Sequence, residues 1–112
     1  MKMIKAVVRP ERVEEILDAL MENGFNAATR MNVLGKGKQK GLKVGDIYYD
    51  EIPKELIMIV VEDNDEEKVI NIISETSRTG KEGTYGDGKI FVTTVEKAIT
   101  ISSGKAELDS VK

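Results

Sequence analysis

Two glycine-rich segments of the sequence carry lysines at a spacing that suits an anion. The first, at positions 35–41, reads Gly-Lys-Gly-Lys-Gln-Lys-Gly. Glycine lets the bare backbone approach a ligand closely, so main-chain amides and ammonium groups together can surround a phosphate. The spacing does not match a P-loop, because no Gly-Lys-Ser/Thr closes the glycine pattern. Taken alone, the segment is explained more simply as a solvated hairpin loop.

The second segment is Tyr-Gly-Asp-Gly-Lys at positions 85–89, directly before an apolar stretch. Asp-Gly is typical of hairpin turns, which keeps a purely structural interpretation open. The paired glycines beside a lysine nevertheless repeat the chemistry of the first segment. Both segments adjoin predicted strand ends, so the sequence favours one anion site built from the two loops.

Composition excludes several other functions. The chain has 112 residues and neither Cys nor His, which excludes disulfides, Ser-His and Cys-His catalysis and zinc-finger sites. Lys and Arg total 17 against 20 Asp and Glu, and aromatic residues make up 4%. Nucleic-acid binding is not expected, because a basic footprint and a stacking platform are both lacking. Acids at 63–67 fit a helix N-terminus better than a metal site.

The length suits a single domain over residues 1–112, because domains cluster at about 100 to 150 residues. No apolar run approaches the roughly 18 residues of a membrane span. The first residues lack the apolar core of a signal peptide. We therefore expect a cytoplasmic protein without membrane insertion.

The spacing of the apolar residues predicts the order strand-helix-strand twice along the chain. Helical spacing predicts helices over 11–23, with Gly24 as the C-cap, and over 64–80, with Asn64 and Glu67 as a capping box. Strands are predicted at 2–8, 25–34, 56–61, 89–95 and 98–102. The stretch 56–61 is apolar throughout, which predicts a central strand buried on both faces.

This order predicts an α+β, ferredoxin-like split βαβ fold (βαββαβ), with both helices on one face of an antiparallel sheet. The other face would expose Ile, Val and Met side chains to water. An apolar face of this kind predicts that the chain forms an oligomer through its sheet.

Four motifs, in this order and spacing, resemble the PII family of nitrogen-regulatory signal proteins. They are the 35–41 segment, Ile-Pro-Lys at 52–54, Arg-Thr-Gly-Lys at 78–81 and Gly-Asp-Gly-Lys-Ile-Phe-Val at 86–92. The likeness runs from Met1 to about Gly104 and leaves a flexible tail at about 104–112. It implies a ferredoxin-like homotrimer with a long T-loop at about 36–53, which docks on partners. ATP or ADP is expected in each cleft between subunits, and 2-oxoglutarate through Mg-ATP at the base of the T-loop.

The resemblance also implies roles for single residues, position by position. The T-loop base that contacts nucleotide phosphates is matched at Gly35, Gly37, Lys38 and Gln39, and Gln39 also matches the ligand of Mg and 2-oxoglutarate. Lys54 matches the lysine that pairs with a 2-oxoglutarate carboxylate. The loop that cradles the phosphates is matched at Gly86, Asp87, Gly88 and Lys89. The adenine site on the neighbouring subunit is matched at Thr29 and Val60.

The sequence departs from the family pattern in three places. Thr100 and Ser102 stand where most members carry phosphate-binding arginines, so we expect little preference for ATP over ADP or AMP. Three extra residues, Glu82 to Thr84, precede the phosphate loop. The T-loop is several residues shorter than usual, and Ile47 stands where many members carry a modified tyrosine.

The short T-loop resembles the nitrogenase-associated (NifI-type) subgroup, which implies a dinitrogenase component as target and a sister PII protein in a mixed assembly. The first alternative is a GlnK-like regulator of an ammonium transporter or of glutamine synthetase. An alternative of a different class is a small ferredoxin-fold enzyme such as an acylphosphatase-like hydrolase. It is disfavoured because the chain lacks the residues for that chemistry.

Overall fold

A computed structural model describes residues 1–36 and 51–106 of the chain, together with the backbone of 42–44 and 47–49. The helices and strands of this described part are β1 (Lys2–Val8), α1 (Val13–Glu22), β2 (Thr29–Gly35), β3 (Leu42–Val44), β4 (Ile47–Tyr49), β5 (Ile52–Val61), α2 (Glu66–Ser77) and β6 (Gly88–Thr94). Short 3-10 turns, Pro10–Arg12 and Asp63–Asp65, lead into the two helices.

Four strands form an antiparallel sheet in the order β2-β5-β1-β6, and β3 pairs with β4 in a separate two-stranded sheet. Alternate residues of β1 and β5 join the buried residues of both helices in one apolar core. A single core between the sheet and the two helices requires both helices to lie on the same sheet face. The predicted α+β, ferredoxin-like architecture is confirmed.

Helix α1 shows how the local sequence sets an element's bounds. Its buried residues Val13, Ile16 and Leu20 recur at helical spacing and face the core. The helix ends because Gly24 adopts a φ of 88°. The Gly24 amide then donates to the Met21 carbonyl, and the Phe25 amide donates to the Leu20 carbonyl. This is the Schellman arrangement, so the prediction of Gly24 at the helix end is confirmed.

Neither helix in the described part of the chain is long and apolar enough to cross a membrane.

Strand β5 occupies a central position, as predicted, but a single chain buries only one of its faces. Ile57, Ile59 and Val61 are buried, whereas the alternating residues are half-buried. The helices cover the first set, and the second set lies on the open face beside exposed Phe91. The predicted burial on both faces is therefore wrong for the isolated chain, and the homotrimer that would cover the open face stays a prediction.

Several predicted boundaries are wrong. No side chain caps α2, because a 3-10 turn precedes it, so the predicted capping box is absent. The predicted strand at 98–102 is reduced to one bridge between Ile99 and Ala106, with a turn at 101–103. The segment expected to be all loop contains the paired strands β3 and β4. Positions 37–41, 45–46, 50 and 107–112 lie outside the described residues, and most of the predicted tail lies among them.

Candidate functional site

The described ends of the two glycine-lysine segments meet at one end of the sheet. Strand β2 ends at Gly35, which pairs with Ile52 at the start of β5. Strand β6 begins at Gly88, which pairs with Val8 at the end of β1. Val8 is itself paired with Glu55, near the start of β5. The register of three strand pairs thus brings the two loops together.

A cavity of about 620 Å³ lies between these strand ends. Its lining residues are Val7, Gly35, Lys36, Ile52, Lys54, Tyr85, Gly86, Gly88, Lys89 and Phe91. Among these described residues, three are lysines, three are glycines and none is an acid. Ammonium groups and bare main chain, without an opposing carboxylate, suit a polyanion. We refer to this space as the anion cavity.

Lys54 links the base of the T-loop to the second glycine loop. Its ammonium group donates a hydrogen bond to the Gly86 carbonyl oxygen. Burial lowers the pKa of Lys54, and the positive charge of Arg9 lowers it further, against the opposing effect of Glu11 and Asp87. Because burial strips water from the ammonium group, a bound carboxylate or phosphate would replace lost solvation. Lys54 is therefore suited to receive an anion.

The Asp87 carboxylate organises the loop between α2 and β6. Its Oδ2 accepts hydrogen bonds from the main-chain amides of Thr79 at 3.0 Å and Thr84 at 2.7 Å. Its Oδ1 accepts from the Thr79 hydroxyl at 2.6 Å and from Nε of Arg9 at 3.2 Å. Arg9 also donates from Nη2 to the Tyr85 carbonyl oxygen at 3.0 Å. One carboxylate thus holds donors from three separate stretches of chain.

These contacts keep Asp87 charged. Burial alone would raise the pKa of its carboxyl, whose side chain is only 15% exposed. The hydrogen bonds from Thr79, Thr84 and Arg9 outweigh burial and hold this pKa well below its usual range. Asp87 is not among the lining residues of the anion cavity, and its carboxylate bonds to Thr79, Thr84 and Arg9. A ligand contact at Asp87, expected from the sequence, stays a prediction.

Gly88 permits the closest approach of main chain at the site. Its φ is 123°, and a Cβ built at this position would lie 2.0 Å from the Val7 carbonyl oxygen. L-residues with a side chain rarely adopt this conformation, and the neighbouring strand leaves no room for one. Gly88 is therefore required by the β1–β6 pairing itself, independently of any ligand.

A larger cavity, of about 790 Å³, lies between α2 and the loop that precedes β6. Its lining includes Glu82 and Asp87 as well as Arg78 and Lys89. The two acids would repel a polyanion at close range. We therefore assign anion binding to the smaller cavity, whose described lining contains no acid.

The remaining predicted site residues lie elsewhere. Thr29 pairs with Met58, and Val60 lies further along β5. From Lys54 to Val60 the strand spans roughly 20 Å at about 3.3 Å per residue, so one chain does not bring these residues to the anion cavity. Their assignment to a neighbouring subunit's site stays a prediction. Other predicted residues lie outside the described part of the chain, namely Gly37, Lys38 and Gln39.

Arg9 carries no signal in the sequence, because it lies just after the predicted strand at 2–8 and nothing there predicts a contact with the second glycine loop. Tyr85 lies within the second glycine-lysine segment, but the sequence assigns no role to its side chain. The available signal was the stretch of three extra residues at 82–84. It indicated a reshaped loop, and Thr84 within it supplies one of the donors to Asp87.

Comparison with known proteins shows which family this chain resembles over its length. A family model described as nitrogen regulatory protein P-II matches residues 1–105. Nitrogen fixation nifHD region glnB-like protein 1 of Methanococcus maripaludis is 55% identical over 90% of this chain and 93% of that protein. Nitrogen fixation nifHD2 region GlnB-like protein 1 of Methanosarcina barkeri is 54% identical over 96% of this chain and 100% of that protein.

A more distant relative, nitrogen regulatory protein P-II of Bradyrhizobium diazoefficiens, is 36% identical over 99% of this chain and 100% of that protein. The similarity therefore extends across the sheet, both helices and the described ends of the two glycine loops. A family match of this extent, on a ferredoxin-like fold with the loops at one end of the sheet, shows that the chain belongs to the nitrogen regulatory protein P-II family.

Proposed function

We propose that this P-II protein senses adenine nucleotide and 2-oxoglutarate and regulates dinitrogenase by docking its T-loop. The observation that carries the proposal is the convergence of Lys36, Lys54 and Lys89 with glycine main chain on one cavity. A nucleotide's phosphate chain is a polyanion that such a lining would stabilise. Members of the family are signalling regulators, and we propose no enzymatic reaction for this chain, which we place in the cytoplasm.

We propose that 2-oxoglutarate binds at the base of the T-loop through Mg-ATP. Lys54 would pair with one of its carboxylates, and Gln39 would contact Mg and 2-oxoglutarate. No group of three or more acid, Cys or His side chains among the described residues could hold a metal. Phosphate and 2-oxoglutarate oxygens would therefore be the main ligands, as suits a hard cation that prefers oxygen.

The nucleotide site is proposed to be completed by a neighbouring subunit in a homotrimer, or in a mixed assembly with a sister PII protein. The open sheet face supplies the apolar surface for such an assembly, since Met58 and Val60 are half-buried and Phe91 is 51% exposed. Thr29 and Val60 lie too far along the sheet to reach the anion cavity of their own chain. An adenine contact at these residues therefore implies a partner subunit.

Nucleotide binding gives the first test. Lys89→Ala is expected to weaken Mg-ATP binding at least about tenfold, because it removes a charge-assisted contact worth roughly 1.5 to 3 kcal/mol. Lys68→Ala is the matched control, since Lys68 lies on α2 over the Phe25 ring, 5.8 Å from its centroid. Isothermal calorimetry of both variants against wild type makes the measurement. Equal losses in the two variants, or no binding by wild type, would contradict the proposed site.

The dependence of 2-oxoglutarate binding on Mg-ATP gives the second test. We expect binding only when Mg-ATP is present, because a dianion beside phosphates needs a metal to offset repulsion. Calorimetric titration with Mg-ATP, with ATP and EDTA, and without nucleotide separates these conditions. Binding of similar affinity in the absence of nucleotide would refute the mechanism.

The proposed target follows from the relatives. The names of the Methanococcus maripaludis and Methanosarcina barkeri proteins assign those proteins to nitrogen fixation regions. If the target is dinitrogenase, purified dinitrogenase should bind the immobilised P-II protein and dissociate as 2-oxoglutarate rises in the presence of Mg-ATP. Binding instead to an ammonium transporter or to glutamine synthetase would favour the GlnK-like alternative. Catalytic turnover of an acyl phosphate would favour the ferredoxin-fold enzyme.

A further inference from the structure

The loop that carries the extra residues at 82–84 presents an aromatic side chain at the anion cavity. Tyr85 lines this cavity together with Lys36, Lys54 and Lys89. The tyrosine is 70% exposed, so it lies at the mouth of the cavity and contributes little to the core. It is the residue of the described lining that combines an aromatic ring with a hydroxyl donor.

The main chain at Tyr85 is held from both sides. Its carbonyl oxygen accepts a hydrogen bond from Nη2 of Arg9 at 3.0 Å. Immediately before it, the Thr84 amide donates to the Asp87 carboxylate at 2.7 Å, and the Asp87 amide donates back to the Thr84 carbonyl at 3.1 Å. The tyrosine therefore stands on a braced turn, and ordering it costs little because its side chain has few rotatable bonds.

We propose that Tyr85 is a further ligand-contacting residue, whose phenol donates a hydrogen bond to an oxyanion held among Lys36, Lys54 and Lys89. The inference rests on the proposed function and adds a residue to that site. The described lining offers a bound anion ammonium groups and main-chain amides, and the phenol adds a donor at the open side. Such a bond to a charged oxygen is stronger than one between neutral groups. The oxyanion is either a nucleotide phosphate or a 2-oxoglutarate carboxylate.

Two variants distinguish the contribution of the Tyr85 hydroxyl from that of the ring, and two titrations distinguish nucleotide binding from 2-oxoglutarate binding. Tyr85→Phe removes the donor and Tyr85→Ala removes the whole side chain, each in the full chain. Calorimetry with Mg-ATP, and then with 2-oxoglutarate on protein saturated with Mg-ATP, reports the two oxyanions separately. We expect Tyr85→Phe to weaken one of the two titrations about tenfold, and Tyr85→Ala to weaken the same one at least as much. Lys68→Ala, on α2 away from the anion cavity, is the control.

Tyrosine emission gives a direct readout that does not depend on affinity. The chain has three tyrosines and no tryptophan, so replacing Tyr48 and Tyr49 by Phe leaves Tyr85 as the single fluorophore. Sodium tripolyphosphate with Mg stands in for Mg-ATP, and 2-oxoglutarate is added to protein saturated with it, because neither anion absorbs appreciably where tyrosine is excited. We expect Tyr85 emission to change when the anion whose binding is weakened by the Tyr85 variants is added. The change should saturate as the site fills.

The outcomes distinguish this inference from the function on which it rests. If wild type binds neither ligand, the proposed function fails. If wild type binds and Lys89→Ala weakens binding, yet both Tyr85 variants bind normally and emission stays constant, only the role of Tyr85 is overturned. A loss in Tyr85→Ala with none in Tyr85→Phe would also overturn it, because the contact would then come from the ring.

Discussion

Gly88→Ala is expected to destabilise the fold by more than about 4 kcal/mol, a size that single substitutions rarely reach. The added Cβ would lie 2.0 Å from the Val7 carbonyl oxygen and 3.2 Å from the Val8 Cα, so the β1–β6 pairing would have to open. The positive φ adds a backbone cost of roughly 1 to 2 kcal/mol. Because domains of this size are stable by about 5 to 15 kcal/mol, a large part of the protein would be unfolded or aggregated.

Gly80→Ala provides the matched control. Gly80 also has a positive φ, of 69°, but no atom lies within 4 Å of the position its Cβ would take. The free energy of unfolding of Gly80→Ala should therefore fall only by the backbone cost of about 1 kcal/mol. Urea unfolding at one fixed protomer concentration measures both variants, since an oligomer's stability depends on concentration. Similar midpoints for the two variants would show that the strand pairing tolerates the side chain.

Asp87→Asn is expected to cost about 2 to 3 kcal/mol at neutral pH, because the amide keeps one acceptor oxygen and lacks the charge that pairs with Arg9. The same substitution should loosen the loop that presents Tyr85 and Gly86, and so weaken Mg-ATP binding. The measurements are urea unfolding for stability and calorimetry for binding, with Asp18→Asn on the exposed side of α1 as control.

The stabilisation that the Asp87 charge contributes is expected to decrease as the pH falls. The pKa of Asp87 is lowered in the folded chain, so the folded state binds this proton less readily than the unfolded state does. The contribution to stability is complete above the unfolded pKa of about 4 and declines as the pH falls below it. The stability difference between wild type and Asp87→Asn should therefore shrink between pH 4 and more acidic values. A difference that stays constant over this range would contradict the role assigned to the charge.

The elements with strong periodicity were predictable from the sequence. Strand β1 has the predicted bounds, Lys2–Val8, and α1 ends at Gly24 as expected, because alternation and helical spacing depend on local residues alone. Strand β5 begins four residues before its predicted start, at Ile52 rather than at Leu56. The early part of this strand contains a proline and charged residues, which local propensity assigns to a loop.

Glu55 shows what a local reading of the sequence misses. It is 6% exposed on β5, and its carboxylate lies 3.6 Å from Nε of Arg30 on β2. Arg30 also donates to Glu14 on α1 at 2.5 Å. A buried acid is tolerated here because a cation reaches it from the neighbouring strand. No spacing along the chain predicts that contact, because it exists only once the strands are paired.

The candidate site also combines residues that the sequence predicts with contacts that it does not predict. The glycines and lysines of the two loops were predictable from the sequence, because those of each loop lie together in one short stretch. The bracing of the second loop was not, since Arg9 and Asp87 are 78 positions apart in sequence. Their contact depends on the antiparallel pairing of β1 with β6, which brings the end of one strand to the beginning of the other.

The pairing of Gly35 with Ile52 has an evolutionary consequence. It holds the two ends of the T-loop on neighbouring strands, about 5 Å apart, so the sheet closes the loop whatever lies between them. Closure entropy grows slowly with length, and even doubling the segment costs only about 0.6 kcal/mol. Insertions, deletions and wholesale replacement are therefore nearly neutral for the core. If the T-loop docks on partners as proposed, a lineage can acquire a new docking specificity by exchanging the middle of this segment, while the sheet, Lys36 directly after β2 and the second glycine loop are inherited unchanged.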